Sequence, residues 1–116
     1  MAVNYERVGD VIILRPEGDL DLGAVDEFRR TAERALEEGR CRKLLVNLKG
    51  VSFIDSSGLG VILGRYKKIS QLQGEMAFAQ APAKLKPVLE LSGLLKIIPL
   101  YDSEKKALER MVRHGA

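Results

Sequence analysis

FIDSSGLGVILGRYKK, running from Phe53 to Lys68, sets an acid, two hydroxyls and a glycine between an apolar run and a helical pattern. Leu59, Ile62, Leu63, Tyr66, Ile69 and Leu72 step through three and four residues, the spacing of a helix with one apolar stripe. Gly74 is expected to stop it. The stretch therefore reads as an entry turn feeding a helix. The question it poses is chemical: Ser56 or Ser57 could attack a substrate, cap the helix, or accept a modification.

Outward from this stretch the chain alternates. KLLVNL, Lys43 to Leu48, is a short apolar run of a buried strand. Before it, Val25, Phe28, Ala32, Ala35 and Leu36 have helical spacing that ends at Gly39, with Asp21 placed to act as N-cap. VNYERV and VIILRP flank Gly9-Asp10 as the arms of a hairpin, and Pro16 is expected to close the second arm. After the central helix come a strand at EMAFAQ and a short helix at APAKLKPVLELSG, with Leu85, Val88 and Leu89 inward and Gly93 at its end. A last short strand follows at KIIPLY, with Pro99 suggesting a sheet edge. Asp102-Ser103 then caps a final helix whose inward residues are Ala107, Leu108, Met111 and Val112. The order is β-β-α-β-α-β-α-β-α. Alternating strands and helices call for parallel crossovers, and the hairpin adds an antiparallel pair. The expected fold class is α/β, one mixed sheet of about five strands with about four helices packed against it.

Composition narrows the function classes. A chain of 116 residues makes one domain, residues 1–116, and 46% hydrophobic with 30% charged residues is globular. The net charge of +3 is dispersed among alternating acids and bases, and there is no Trp, so a nucleic-acid surface is not expected. The one cysteine, Cys41, cannot form an internal disulfide and reads as a small buried filler. No apolar run reaches the ~20 residues that span a bilayer, and no leader is visible at the N-terminus. The expectation is a soluble, cytoplasmic protein.

The serines can now be weighed. A nucleophile elbow wants glycines two before and two after the serine; around Ser56 those positions are Ile54 and Gly58, so only one fits. A serine nucleophile also needs a base, and the sole histidine, His114, reads as an exposed tail residue. Nothing points Lys67 inward as a substitute. GLGVILG matches neither phosphate-binding glycine pattern, so no nucleotide site is expected in this chain. GDLDLG imitates a phosphatase D-x-D pair at Asp19 and Asp21, but a turn with an N-cap explains it better, and no metal is expected. Ser56 or Ser57 as a helix cap is the plain structural reading. The same position also suits modification: a strand-to-helix turn is reachable, and a phosphate at a helix start is favoured by free N–H groups. It would add about 1.5–2 negative charges beside Asp55.

FIDSSGLGVILGRYKKI, with GDLDLGAVDEFR before it and LSGLLKII after it, closely resembles the STAS-domain anti-sigma factor antagonists, over Gly18 to about Leu108. Within that family the likeness is to antagonists that regulate sporulation transcription in endospore-forming bacteria. The resemblance implies an anti-anti-sigma factor with no catalytic residues, cofactor, metal or small-molecule substrate. Its partners would be an anti-sigma factor serine kinase, which carries the ATP, and a serine phosphatase that resets the switch. Carried over residue by residue, Ser56 is the phosphorylation target. Asp21, Asp55, Ser57, Gly58, Leu59 and Gly60 fall on the partner-binding positions. Relatives often have a hydroxyl residue where this chain has Gly23-Ala24, which leaves capping there to Asp21. The alternatives within reach are a STAS subunit of another regulatory or stress-response partner-switching system, and a small nucleotide hydrolase.

Overall fold

Period-two alternation in three strands decides the layering of this protein, whose computed structural model describes residues 1–112. Strand β2, Val11–Leu20, is the longest, with β1, Ala2–Val8, antiparallel on one side. Its other side pairs in parallel with β3, Lys43–Asn47, and the sheet continues through β5, Glu75–Ala79, to β6, Leu100–Tyr101. Successive side chains of a strand point to opposite faces. Ile12, Leu14, Leu44, Val46, Met76 and Phe78 accordingly join one core, while Val11, Ile13, Leu45, Ala77 and Ala79 join the other. The first core is covered by α1, Val25–Gly39, α2, Ser56–Gln71, and α3, Lys86–Leu91; the second by α4, Glu104–Met111. This is the expected α/β fold with a mixed sheet and four helices.

A sixth strand was not foreseen. β4, Val51–Ile54, pairs in parallel with the far half of β2, Gly18 against Val51 and Leu20 against Ile54. It prolongs the line of β3 along β2 after the break at 48–50, where the Gly18 N–H donates to the Gly50 carbonyl at 2.9 Å. This arrangement also explains why Pro16 does not end its strand. Pairing with β3 stops at Leu14 and pairing with β4 starts at Gly18, so no parallel neighbour needs the N–H that proline lacks.

Helix ends depart from expectation in instructive ways. α1 begins after Ala24 with no side-chain cap, so Asp21 is not its N-cap; Ala24 N–H instead donates to the Asp21 carbonyl, closing a turn. The left-handed residue after α1 is Arg40, φ 51°, and Gly39 is there because a Cβ would crowd Ile12 Cδ1 at 3.2 Å. Likewise Gln73, φ 60°, takes the left-handed turn after α2, whereas a Cβ on Gly74 would lie 1.9 Å from the Arg42 carbonyl oxygen. KIIPLY is mostly not strand: a 3-10 turn covers Leu94–Lys96, entered through Gly93 at φ 82°, and only Leu100–Tyr101 pair with β5. Ser103 does cap α4, accepting from Lys106 N–H at 3.1 Å.

α4 is tied down by charge as well as by Ala107 and Met111. Arg15 donates twice to Glu104, at 2.9 and 2.8 Å, and the buried Asn47 amide donates to the same carboxylate. The hydrogen bonds from Arg15 hold the Glu104 carboxyl below its ordinary range; burial opposes them, and the hydrogen bond from Asn47 and the charge of Arg15 add to the lowering. Among the described residues no helix is long and apolar enough to cross a membrane. His114 lies outside the described residues.

Candidate functional site at the ends of two parallel strands

The register of β2 and β4 builds the site. Because Leu20 lies beside Ile54, the chain leaves the sheet at the same edge twice, through Asp21 and through Asp55. Loops at the carboxyl ends of parallel strands are where α/β sheets place functional residues. Here they carry the β2–α1 turn and the start of α2.

Asp55 is the N-cap of α2. Its backbone is extended, φ −95° and ψ −175°, and its Oδ1 accepts from Gly58 N–H at 2.9 Å. The cap is therefore the acid and not a serine, which corrects the reading of Ser56 or Ser57 as the cap. Both serines are already inside the helix, as its first two residues. Ser56 is exposed and Ser57 half-buried, and neither hydroxyl has a hydrogen-bond partner among the described residues. The aspartate also reaches across: its Oδ2 accepts from Leu22 N–H, at 3.3 Å, in the neighbouring loop. Asp21 is half-buried, and its carboxylate makes no hydrogen bond or ion pair among the described residues.

The glycines of the motif have different jobs. Gly58 is buried: a Cβ there would stand 2.2 Å from the Leu20 carbonyl oxygen and 2.9 Å from Ile54 Cγ2. Its part in the site is to let α2 start flush against the end of β2, and it presents no surface of its own. Gly60 is exposed, and a Cβ there would meet nothing within 4 Å. Leu59 is half-buried and packs on the core edge. Two apolar residues escaped the sequence reading: Leu22 is 72% exposed and Phe53, opposite Asp19 in the sheet, is 51% exposed. Alternation through Leu20 and Leu22 suggests that both are buried. Only the departure of the chain from the strand at Asp21 turns the second outward.

A mixed α/β sheet with three helices on one face and one on the other carries the D-S-S-G helix entry at the carboxyl edge of two parallel strands. The chain belongs to the STAS domain family, whose profile matches residues 2–107. It is 40% identical over 111 residues to the anti-sigma F factor antagonist of Paenibacillus polymyxa, covering 96% of this chain and 95% of that one. The anti-sigma-B factor antagonist of Staphylococcus aureus is 31% identical over 85 residues, 73% of this chain and 78% of that one. Among solved structures, the anti-sigma factor antagonist SpoIIAA in its unphosphorylated form superposes with a TM-score of 0.80 at 28% identity, over 94% of this chain and 95% of that one. The same Bacillus protein in its phosphorylated form gives a TM-score of 0.74 over 94% of this chain and 98% of that one. All of these relatives bear the name of anti-sigma factor antagonists.

Proposed function

We propose that this chain is a partner-switching antagonist whose state is written on Ser56. Unmodified, it docks an anti-sigma factor through the surface around Asp21, Leu22, Asp55, Ser57, Leu59 and Gly60, and so releases the sigma factor. A phosphoryl group on Ser56 ends the docking. The observation that carries this reading is the division of labour at the start of α2: Asp55 does the capping, so the Ser56 hydroxyl is exposed and has no structural duty.

The physics of the switch follows from that position. A phosphate on the first helical residue is favoured by the helix dipole and by the N–H groups of Ser56 and Ser57, which Asp55 leaves free, so the domain keeps its fold. Outside, about 1.5–2 negative charges join the carboxylates of Asp21 and Asp55. A partner shaped to close over a neutral hydroxyl and two acids must then bury a dianion, and docking becomes unfavourable. ATP and the transfer chemistry belong to the partner, an anti-sigma factor that is also a serine kinase; a serine phosphatase restores the hydroxyl. Partners of this kind place the protein in the cytoplasm.

A relative named for sigma F supports a role in sporulation, and a relative named for sigma B supports a stress-response or other partner-switching system equally well in kind. The breadth of the family favours the general reading over the sporulation-specific one. Incubation of the chain with ATP and the serine kinase recovered by pull-down, followed by mass spectrometry of the peptide containing Asp55-Ser56-Ser57, tests the proposal. Added phosphate on Ser56 is expected. Modification only at Ser57, or none, contradicts it.

A further inference from the structure

Asp55 spends both carboxylate oxygens on the backbone, one on each of two loops. Oδ1 accepts from Gly58 N–H within its own helix start, and Oδ2 accepts from Leu22 N–H, 33 residues away in sequence. A helix cap requires only the first of these. The second crosses from the β4–α2 turn to the β2–α1 turn, between the two strand ends that Leu20 and Ile54 bring side by side. It is also the one side-chain hydrogen bond between these turns among the described residues. The residue it holds is unusual, since Leu22 is an apolar side chain 72% exposed, on a turn whose other anchor is the Ala24 N–H to Asp21 carbonyl bond at 2.9 Å.

We infer that Asp55 is a positioning residue: its carboxylate clamps the β2–α1 turn to the start of α2, so that Leu22 and Asp21 are presented in fixed register with Ser56. Leu22 is then the apolar anchor of the docking surface, and Asp55, besides lying on that surface, acts through Leu22 by holding it in place. This inference rests on the reading that the two turns form one docking surface. Preorganisation is the physical gain. A partner that met a loose turn would have to order it, at a cost in affinity.

Amide hydrogen exchange of the free chain, read by NMR, tests the clamp without any partner. Exposure alone predicts rapid exchange at Leu22, whereas the clamp predicts protection of about tenfold over an unstructured amide. In Asp55→Asn the remaining oxygen keeps the Gly58 cap, but an NH2 group faces the Leu22 N–H. Leu22 is expected to lose its protection while Gly58 keeps its own and the melting temperature barely moves. Asp55→Ala is expected to release both amides. A Leu22 amide that is unprotected in the wild-type chain, or equally protected in both variants, overturns the inference; the wild-type measurement holds even if a variant folds poorly. Toward the kinase, Asp55→Asn and Leu22→Ala are each expected to weaken binding about tenfold with the fold intact. Unchanged affinity in both overturns the positioning role. A failure of Ser56 to be phosphorylated would instead strike the switch and leave the exchange result standing.

Discussion

Replacing Gly58 by alanine adds one methyl group, and the structure says where that methyl must go. Its carbon would stand 2.2 Å from the Leu20 carbonyl oxygen, 2.9 Å from Ile54 Cγ2 and 3.0 Å from Leu20 Cγ. Non-bonded heavy atoms rest about 3.5 Å apart, so α2 must retreat from the end of β2 by roughly 1 Å. The nearest obstacle is backbone, and the same carbonyl also accepts from Asp55 N–H at 3.3 Å, so no flexible side chain can absorb the shift. Overpacking of this kind costs roughly 1–3 kcal/mol, and alanine's better helix propensity returns about 1. The net loss is about 0–2 kcal/mol, equivalent to as much as roughly 10 °C in melting temperature for a domain of this size. Gly60→Ala, two residues on in the same helix, is the control. A Cβ there meets nothing within 4 Å, so the identical chemical change is expected to stabilise by about 0.5–1 kcal/mol. Thermal melts followed by circular dichroism measure both. If the two variants moved in the same direction, the close approach of α2 to β2 would be refuted.

Other consequences follow from the packing around the site. The Glu104 carboxyl is held below its ordinary value, so its contribution to stability is complete above the unfolded value near 4.5 and is lost as pH falls through the lower folded value. Urea melts should show the gap between wild type and Glu104→Gln constant from about pH 6 to 8 and narrowing below about pH 4.5; a gap that widens on acidification would contradict the Arg15–Glu104 link. Lys43, which is buried, pairs with Asp10 at 2.6 Å and donates to the Met111 carbonyl, joining the hairpin turn to the end of α4. Asp10→Ala strands the buried Lys43 ammonium and should cost on the order of 1 kcal/mol or more, whereas Asp10→Ala combined with Lys43→Met removes the whole pair and should be closer to neutral. Denaturant midpoints of the two variants distinguish these outcomes, and equal losses would count against the argument.

Much of the architecture was legible because its cause is periodic. Alternation in VIIL and KLLV, and the three-and-four spacing from Leu59 to Leu72, are properties of the side chains that the cores must bury. β4 was hidden because only Val51 and Ile54 of its four residues are buried, too few for a period to register. Helix caps were misread for a different reason. In Asp55-Ser56-Ser57 all three side chains can accept a backbone N–H, and sequence does not say which stands one residue outside the helix. The pairing of Leu20 with Ile54 decides it, because that contact makes Asp55 the residue where the strand ends. Asp21 was misassigned by the same ambiguity, since three residues, Leu22 to Ala24, separate it from Val25. The link between Asp55 and Leu22 spans 33 residues and could come only from the fold. The motif located the site; the strand register determined which of its side chains are engaged and which are free.

Calorimetric titration of the kinase with the unmodified chain and with the chain phosphorylated on Ser56 examines the switch itself. Tight binding of the hydroxyl form and a loss of at least about a hundredfold for the phosphoserine form are expected, the size of penalty that an uncompensated buried charge carries. Equal affinity of the two forms would mean that the exposed serine at the mouth of α2 is not what the partner reads.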